Sequence, residues 1–472
     1  MAAATRADLC VIGGGSGGLS VAAGAVQMGA RVVLVEGARM GGDCLNSGCV
    51  PSKALIAAAR CAHAMTAGAP FGVAPAVPEV DYAAVKDHVA GVIAGIAPHD
   101  SVERFEGLGV RVIEARGRFL SPRELQAGDS VIRARRFVIA TGSSPLVPPI
   151  PGLDSVPFET NETIFGLREC PAHLIVIGGG PIGIELAQAH RRLGSAVTVL
   201  EGQKALLRDD PELAAIALER IRAEGVEIVE GALAERVTGT AGEITVHVKG
   251  GARYRGSHLL VAVGRRPNTE GLGLDVAGVE HGRGGIAVGA DLKTTNRRIY
   301  AIGDVAGSLQ FTHVANYHAG IVIRSALLGL PARARTDHIP WATYTDPELA
   351  HVGLTEEAAR RRHGRRLEVV RFDFAANDRA RTERATAGRI KVMVVRGRPV
   401  GASIAGTQAG EMIQLWALAI ANRLKMGAVA AMVSPYPTLG EINKRVAGAY
   451  FSPRLFDSPM LKRLVRLVQR LR

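Results

Sequence analysis

Cysteine is scarce in this chain, with five residues (Cys10, Cys44, Cys49, Cys61 and Cys170) among 472. That excludes a scaffold built on disulfides and fits a reducing compartment. Aromatic residues are also few, at 4%. The formal net charge is +13, but the basic residues, mostly Arg, are spread along the chain without interleaved aromatics. This composition argues against a nucleic-acid interface and leaves docking of an acidic partner or a phosphorylated ligand as a use for the charge. No run of about 18 apolar residues lacks charge or repeated glycine, so no membrane span is expected. A candidate strand beginning at Asp8 leaves no room for a signal peptide, and the expected location is cytoplasmic.

Hydrophobic residues at 47% and charged residues at 21% describe a globular protein, long enough for two to four domains. Glycine is abundant, with 57 residues, many in tight clusters that suggest backbone-defined binding loops. The first cluster lies in DLCVIGGGSGGLSVAAGAVQMGARVVLVEG. A strand runs into Gly13, Gly15 and Gly18, a helix follows, and a second strand ends at Glu36. Glycines there let a backbone approach a pyrophosphate, the helix N-terminus faces its charge, and the acid accepts ribose hydroxyls. The pattern recurs in HLIVIGGGPIGIELAQAHRRLGSAVTVLEG, with Gly178, Gly180, Gly183 and a terminal Glu201. First glycine and acid are 23 residues apart in both copies (36 − 13 and 201 − 178). Two dinucleotide sites are expected, a resident flavin and an exchanging nicotinamide making the best chemical sense. Ala140-Thr141-Gly142 ends another strand, and YAIGD places Asp304 at a strand end, where a flavin fold split by an inserted domain would need a ribityl contact.

With these segments stands GGDCLNSGCVPSK, residues 41–53, which sets Cys44 and Cys49 five residues apart. Taken in this order, the motifs resemble those of the pyridine nucleotide–disulfide oxidoreductases, a family that includes dihydrolipoamide dehydrogenase, glutathione reductase and mercuric reductase. The resemblance covers nearly the whole chain. It implies an α/β fold with two Rossmann-like dinucleotide-binding domains and an α+β C-terminal dimerisation domain. The FAD domain would take residues 1–147 and 266–337, the NAD(P) domain 148–265, and the interface domain 338–472, where TDPELAHVGLTE looks like the interface opening. It also implies a homodimer.

The cysteine pair lacks the second pair of ligands that a zinc site needs, and a structural staple does not suit a reduced compartment. A reactive pair has a physical rationale. Pro51 suits a first helical turn, so a helix should start near Cys49 and favour a thiolate there. Regular helix would hold positions i and i+5 too far apart to bridge, so Asn46, Ser47 and Gly48 are expected to distort the turn. By resemblance, Cys49 faces the flavin and Cys44 attacks the substrate, while Lys53 lies near flavin N5 and pairs with Glu185. The resemblance also extends cofactor binding to Gly117, Gly264 and Thr312, the last at the start of a helix aimed at the flavin C2 oxygen. Beside it, His313 is expected to have no proton role. Cys10, Cys61 and Cys170 have no activating neighbour and are expected to be unreactive.

Glu201 favours NAD over NADP, because a carboxylate accepts ribose hydroxyls and repels a 2′-phosphate. Arg265 and Arg266 are within reach of a cofactor, though relatives that use NAD carry similar pairs. Disulfide-reducing members carry His-Pro-Thr-x-x-Glu near the C-terminus, whereas this chain reads SPYPTLGEINKR, with Tyr436 in the histidine's place and Glu441 kept. A phenol of pKa about 10 is ionised to about one part in a thousand at pH 7, so Tyr436 is a poor general base. Mercuric reductases resemble the chain better at this motif. They also carry a C-terminal cysteine pair, and no cysteine follows Cys170 here; nor is an N-terminal metal-binding domain expected.

The tail sets Leu461, Leu464, Val465 and Val468 on one helical face, with Lys462, Arg463, Arg466 and Arg470 around the rest. The stripe is expected to pack on its own domain, not to bind a membrane. The expected activity is FAD-dependent dithiol–disulfide oxidoreduction with NAD(H), dihydrolipoamide dehydrogenase-like, on a small disulfide or a lipoylated protein. Alternatives are a mercuric-reductase-like or quinone-reducing NADH flavoenzyme, or a docking subunit of a multienzyme complex. No resident metal is expected.

Overall fold

A computed structural model describes residues 5–307 and 309–470. The chain forms two compact units, one from residues up to Gly202 with Glu227–Ala334, the other from Gln203–Val226 with Arg335 onward.

In the first unit, a parallel sheet is ordered Arg111–Glu114, Val32–Glu36, Thr5–Ile12, Ser130–Ile139, with Ile299–Ala301 paired to the last. An antiparallel hairpin of Gly117–Ser121 and Glu124–Ala127 extends it through Ser130–Ile139. The central strand is buried on both faces, which explains its near-continuous apolar run. Cys10 and Ile12 enter one core with Phe119, Leu125 and Phe137, while Leu9 and Val11 enter another with Leu19, Val21 and Tyr300. Cys10 is fully enclosed, and burial pushes its thiol above the ordinary range. It is inert packing. Cys61 is exposed on the helix Cys49–Thr66, and Cys170 is half-buried with its sulfur 3.3 Å from the Ser195 hydroxyl.

A second sheet in the same unit is ordered Val226–Glu230, Ala196–Glu201, His173–Ile177, His258–Val261, its last three strands parallel. Thus each glycine fingerprint joins the middle of a parallel sheet to a helix, Ser16–Gln27 in the first and Pro181–Arg192 in the second.

The second unit is built on an antiparallel sheet ordered Pro340–Thr343, Glu348–Gly353, Arg398–Gly406, Arg389–Val395, Leu367–Asp373. The helices Ala409–Ala421 and Glu441–Phe456 contribute Trp416, Ile420, Ile442 and Val446 to its core, and the Trp416 indole donates to Asn443 at 2.7 Å. The helix Pro211–Ala223 belongs to this unit and is tied to the sheet electrostatically. Lys391, 3% exposed, reaches Asp210, Glu212 and Glu356 at 2.9, 2.7 and 2.9 Å.

Burial alone would pull the Lys391 ammonium down, but hydrogen bonds to Glu212, Asp210 and Glu356 hold it above its ordinary value. Burial works against Glu212 as well, yet Arg371, Lys391 and Arg389 bring its carboxyl down to about 2. Replacing Lys391 by methionine should therefore leave three carboxylates facing one another and destabilise this unit by about 3 kcal/mol. The check is the urea midpoint of unfolding. Because the folded Glu212 lies below its unfolded value, its stabilising effect is present above about pH 4.5 and fades as pH falls toward 2.

No described helix is long and apolar enough to cross a membrane. The last helix, Pro459–Arg470, has no buried residue. The expected packing of its apolar stripe on its own domain is not made: Leu461 is half-buried, and Leu464, Val465 and Val468 are exposed. Too few apolar neighbours reach that face to cover it.

Candidate active site

The two fingerprints have the same stereochemistry. Gly13 and Gly178 adopt φ of +110° and +114°, and a Cβ on either would fall 2.3 or 2.4 Å from the carbonyl oxygen of Ala140 or Ala262. A Cβ on Gly18 or Gly183 would lie 1.9 or 2.0 Å from the oxygen of Gly13 or Gly178, so only glycine lets strand and helix approach this closely. Gly15 and Gly180 are the N-caps of their helices and supply no capping side chain. A side chain on Gly180 would meet nothing within 4 Å, which is the open room a pyrophosphate requires.

The terminal acids turn back toward these loops. Glu36 accepts hydrogen bonds from the amides of Gly14 and Ala38. Glu201 accepts from Gly179 at 2.7 Å. These residues fit two dinucleotides, each with a glycine turn for the phosphates and a carboxylate at the end of the next strand, beside that turn. Gly117 opens the edge hairpin, where a Cβ would touch Leu125, Ile12 and Val35 side chains. Gly264, at φ +139°, has open space at its Cβ.

The cysteine segment folds as two helices, Gly42–Asn46 and Cys49–Thr66, broken at Ser47 and Gly48. Gly48 caps the second without a side chain, and the Asn46 amide folds back onto the carbonyls of Met40 and Gly42. Cys44 thus lies on the short helix and Cys49 at the N-terminus of the long one, where amide dipoles favour an anion. Both are reduced.

Their proton is shared unequally. The Cys44 thiol donates toward Cys49, and despite partial desolvation and the Asp43 charge, Thr312 and Lys53 help bring the Cys49 thiol down to about 6. Cys44 moves strongly upward, first because its proton is held by Cys49, then through burial and the adjacent negative charge. The Thr312 hydroxyl lies 3.4 Å from the Cys49 sulfur, at the first residue of the helix Thr312–Ala326. Lys53 pairs with the buried Glu185 at 2.8 Å. The His313 ring stacks on Phe311 with centroids 5.4 Å apart.

Behind this segment lies a network whose pairings sequence reasoning missed. Arg265 donates to the Ser143 hydroxyl and carbonyl at 2.7 and 2.8 Å and meets Asp43 at 3.1 Å. Asp304 accepts from Ser143 at 2.5 Å, and Asn161 reaches both Asp43 and the Ser47 carbonyl. Burial raises the Asp304 carboxyl, while Ser143 and Arg265 oppose the rise. Arg265 therefore braces the cysteine loop and the Asp304 turn from within the protein, and Arg266 pairs with Glu270. Asn268 ties this strand to the Thr141 loop, accepting from Thr141 Oγ1 at 2.7 Å and donating to its carbonyl at 3.0 Å. The run Arg265-Arg266-Pro267-Asn268 was the visible signal; Ser143 and Asp43, which Arg265 meets, and Thr141, which Asn268 meets, are over a hundred residues away, and nothing in the sequence matches them.

In the second unit, Tyr436 is 69% exposed, and its hydroxyl donates to Asp378 at 3.2 Å. That hydrogen bond, then the Asp378 charge, raises the phenol above its ordinary value. Glu441 engages Arg445 at 2.9 Å. Asp378 was not singled out from the sequence, since it lies 58 residues from Tyr436 and only the fold brings them together.

Residues 7–319 match the pyridine nucleotide-disulphide oxidoreductase family, and residues 339–447 match its dimerisation domain. Mercuric reductase from Bacillus cereus is 35% identical over 442 residues, covering 92% of this chain and 70% of that protein. Dihydrolipoyl dehydrogenase from Thermus scotoductus is 37% identical over 457 residues, 92% of this chain and 95% of that protein. Among solved structures, the Cu(II) complex of the HOCl-induced flavoprotein disulfide reductase RclA from Escherichia coli superposes with a TM-score of 0.84. It is 30% identical and covers 93% of this chain and 99% of that one.

Proposed function

This chain belongs to the pyridine nucleotide-disulphide oxidoreductase family, and from that premise we propose that its Cys44–Cys49 pair reduces, or is reduced by, a small disulfide or dithiol or a lipoylated protein. The protein is an FAD-dependent NAD(P)H disulfide oxidoreductase and, through its dimerisation domain, a homodimer. Residues 1–147 with 266–337 form the FAD domain in this reading, 148–265 the NAD(P) domain and 338–472 the interface domain. The cysteine usage suits a cytoplasmic setting.

FAD, when bound, relays two electrons between nicotinamide and the cysteines. The chain's own residues handle charge and protons. On taking up two electrons and one proton, the disulfide becomes a Cys49 thiolate and a Cys44 thiol. Thr312 and the Lys53 ammonium stabilise that anion, and Glu185 holds the lysine in place. For turnover, the Cys44 sulfur attacks the acceptor disulfide and its proton passes to the first acceptor sulfur as that leaves; the Cys49 thiolate then attacks the Cys44 sulfur, closes the ring and releases the second acceptor sulfur as a thiolate, which takes a proton from water. The observation that carries this reading is the placement of the sulfurs: Cys49 opens the helix Cys49–Thr66 with the Thr312 hydroxyl 3.4 Å from its sulfur, while Cys44 lies on the separate short helix before it, an arrangement that moves the Cys49 thiol down and the Cys44 thiol up. Rapid mixing of the NADH-reduced protein with lipoamide, a quinone and Hg(II) tests it. Lipoamide should reoxidise the pair; reoxidation by quinone alone would refute the proposal.

A second reading, reduction of a thiol-bound electrophile such as Hg(II), is favoured by Tyr436. Its hydroxyl lacks the basicity that a thiol proton requires, and its one proton, given to Asp378 in this structure, is available to an anionic group when the hydroxyl turns from Asp378.

Nicotinamide choice is assigned to Glu201, whose carboxylate accepts the Gly179 amide in the second glycine turn. NAD is the preferred form in this reading. Glu201→Arg should shift the kcat/KM ratio toward NADPH by more than about tenfold, equivalent to roughly 1.4 kcal/mol. A wild-type enzyme that already prefers NADPH would show that the acid does not face the ribose.

A further inference from the structure

We propose that the C-terminal helix Pro459–Arg470 is a monotopic anchor that lays this reductase on an anionic lipid surface. The helix separates its two chemistries completely. At 100° per residue, Met460, Leu461, Leu464, Val465, Leu467 and Val468 fall within roughly 160° of its circumference. Lys462, Arg463, Arg466, Gln469 and Arg470 occupy the rest, with no acid among them. The apolar side is bare: Met460, Leu464, Val465, Leu467 and Val468 are between 44% and 75% exposed. Just upstream, Leu455 and Phe456 are 51% and 68% exposed, which continues the apolar surface into the preceding helix.

Three observations select the occupant. Twelve residues make a helix of about 18 Å, too short to cross a hydrocarbon core of about 30 Å, so the helix lies in the plane of an interface. Four cations on the polar side complement phosphate headgroups, and each contributes about fivefold to partition onto an anionic surface. The segment matching the family's dimerisation domain ends at residue 447, before this helix begins. Pairing with the same helix of a second copy would also line one seam with like charges.

The test is sedimentation of the full-length, FAD-loaded protein with vesicles of phosphatidylcholine mixed with phosphatidylglycerol, and with vesicles of phosphatidylcholine alone. Binding should occur on the mixed vesicles and fall at least about tenfold on the neutral ones or at high salt. Arg463→Gln with Arg466→Gln should weaken binding about 30-fold, and Leu464→Glu with Leu467→Glu at least as much. NADH-dependent ferricyanide reduction should be unchanged in every variant, and it reports on folding. Ending the chain at Asp457 gives a second route to the same loss if a substituted helix disturbs expression. The proposal is overturned if the wild type stays in the supernatant, or if neutral vesicles bind it equally. It is also overturned if the leucine variant loses a subunit contact, seen as a drop in mass, while keeping its lipid binding. These outcomes do not depend on which acceptor the cysteines reduce.

Discussion

Serine in place of Cys49 should lower NADH-dependent disulfide reduction by at least about 10³-fold, because the variant can neither form the internal disulfide nor hold the thiolate. The same change should abolish the long-wavelength absorbance that a thiolate beside oxidised flavin gives on partial reduction. Cys44→Ser should also lose disulfide turnover but keep that absorbance, since Cys49 remains. The two variants thus separate the roles of the sulfurs. In the wild type the band should titrate near pH 6, present above that value and lost as pH falls through it, because the Cys49 thiol is brought down to about 6. Thr312→Val removes the hydroxyl 3.4 Å from the sulfur and should move the titration upward. Ferricyanide reduction by NADH should persist in both cysteine variants and shows that the cofactors are in place. An undiminished band in Cys49→Ser would reverse the assignment.

Tyr436→His should raise dihydrolipoamide turnover, on the order of the 10²–10⁴-fold that a positioned base provides. An imidazole with pKa near 6.5 is largely neutral at pH 7 and accepts a thiol proton, whereas the phenol keeps its own. The carboxylate partner differs from the one the motif suggests. Within one chain, Glu441 is engaged by Arg445, while Asp378 receives the Tyr436 hydroxyl. The gain should therefore depend on Asp378, and Asp378→Asn in the histidine background should remove most of it. In the wild-type background, Asp378→Asn should lower the phenol's apparent pKa toward 10, because the hydrogen bond and the negative charge that raise it are both weakened. Tyr436→Phe should slow any acceptor that needs the hydroxyl while leaving NADH-dependent ferricyanide reduction intact. The deciding measurement is kcat/KM for dihydrolipoamide against pH. Fast wild-type turnover, with an acid limb near pH 6 to 7 that persists in Tyr436→Phe, would show that another residue is the base.

The sequence by itself determined the parts whose physics is local. Gly13 and Gly178 declare themselves because a left-handed backbone 2.3 to 2.4 Å from a carbonyl tolerates no side chain, and the strand-to-helix context around them is contiguous. Glu36 and Glu201 follow for the same reason, since each closes the strand that succeeds its glycine turn. The helix at Cys49 and the break before it were readable from Gly48 and Pro51. Only the tertiary structure decided which groups meet across long separations. Arg265 with Asp43, Asp304 with Ser143, and Tyr436 with Asp378 come from distant segments; Arg265, Asp304 and Tyr436 stand out in the sequence, but Asp43, Ser143 and Asp378 taken alone read as ordinary polar groups, so the pairings are not legible there. The fold also decided that Lys391 is enclosed by three carboxylates and that the C-terminal stripe is left uncovered. An amphipathic period fixes which face of a helix is apolar, but what covers that face depends on neighbours that the period does not encode.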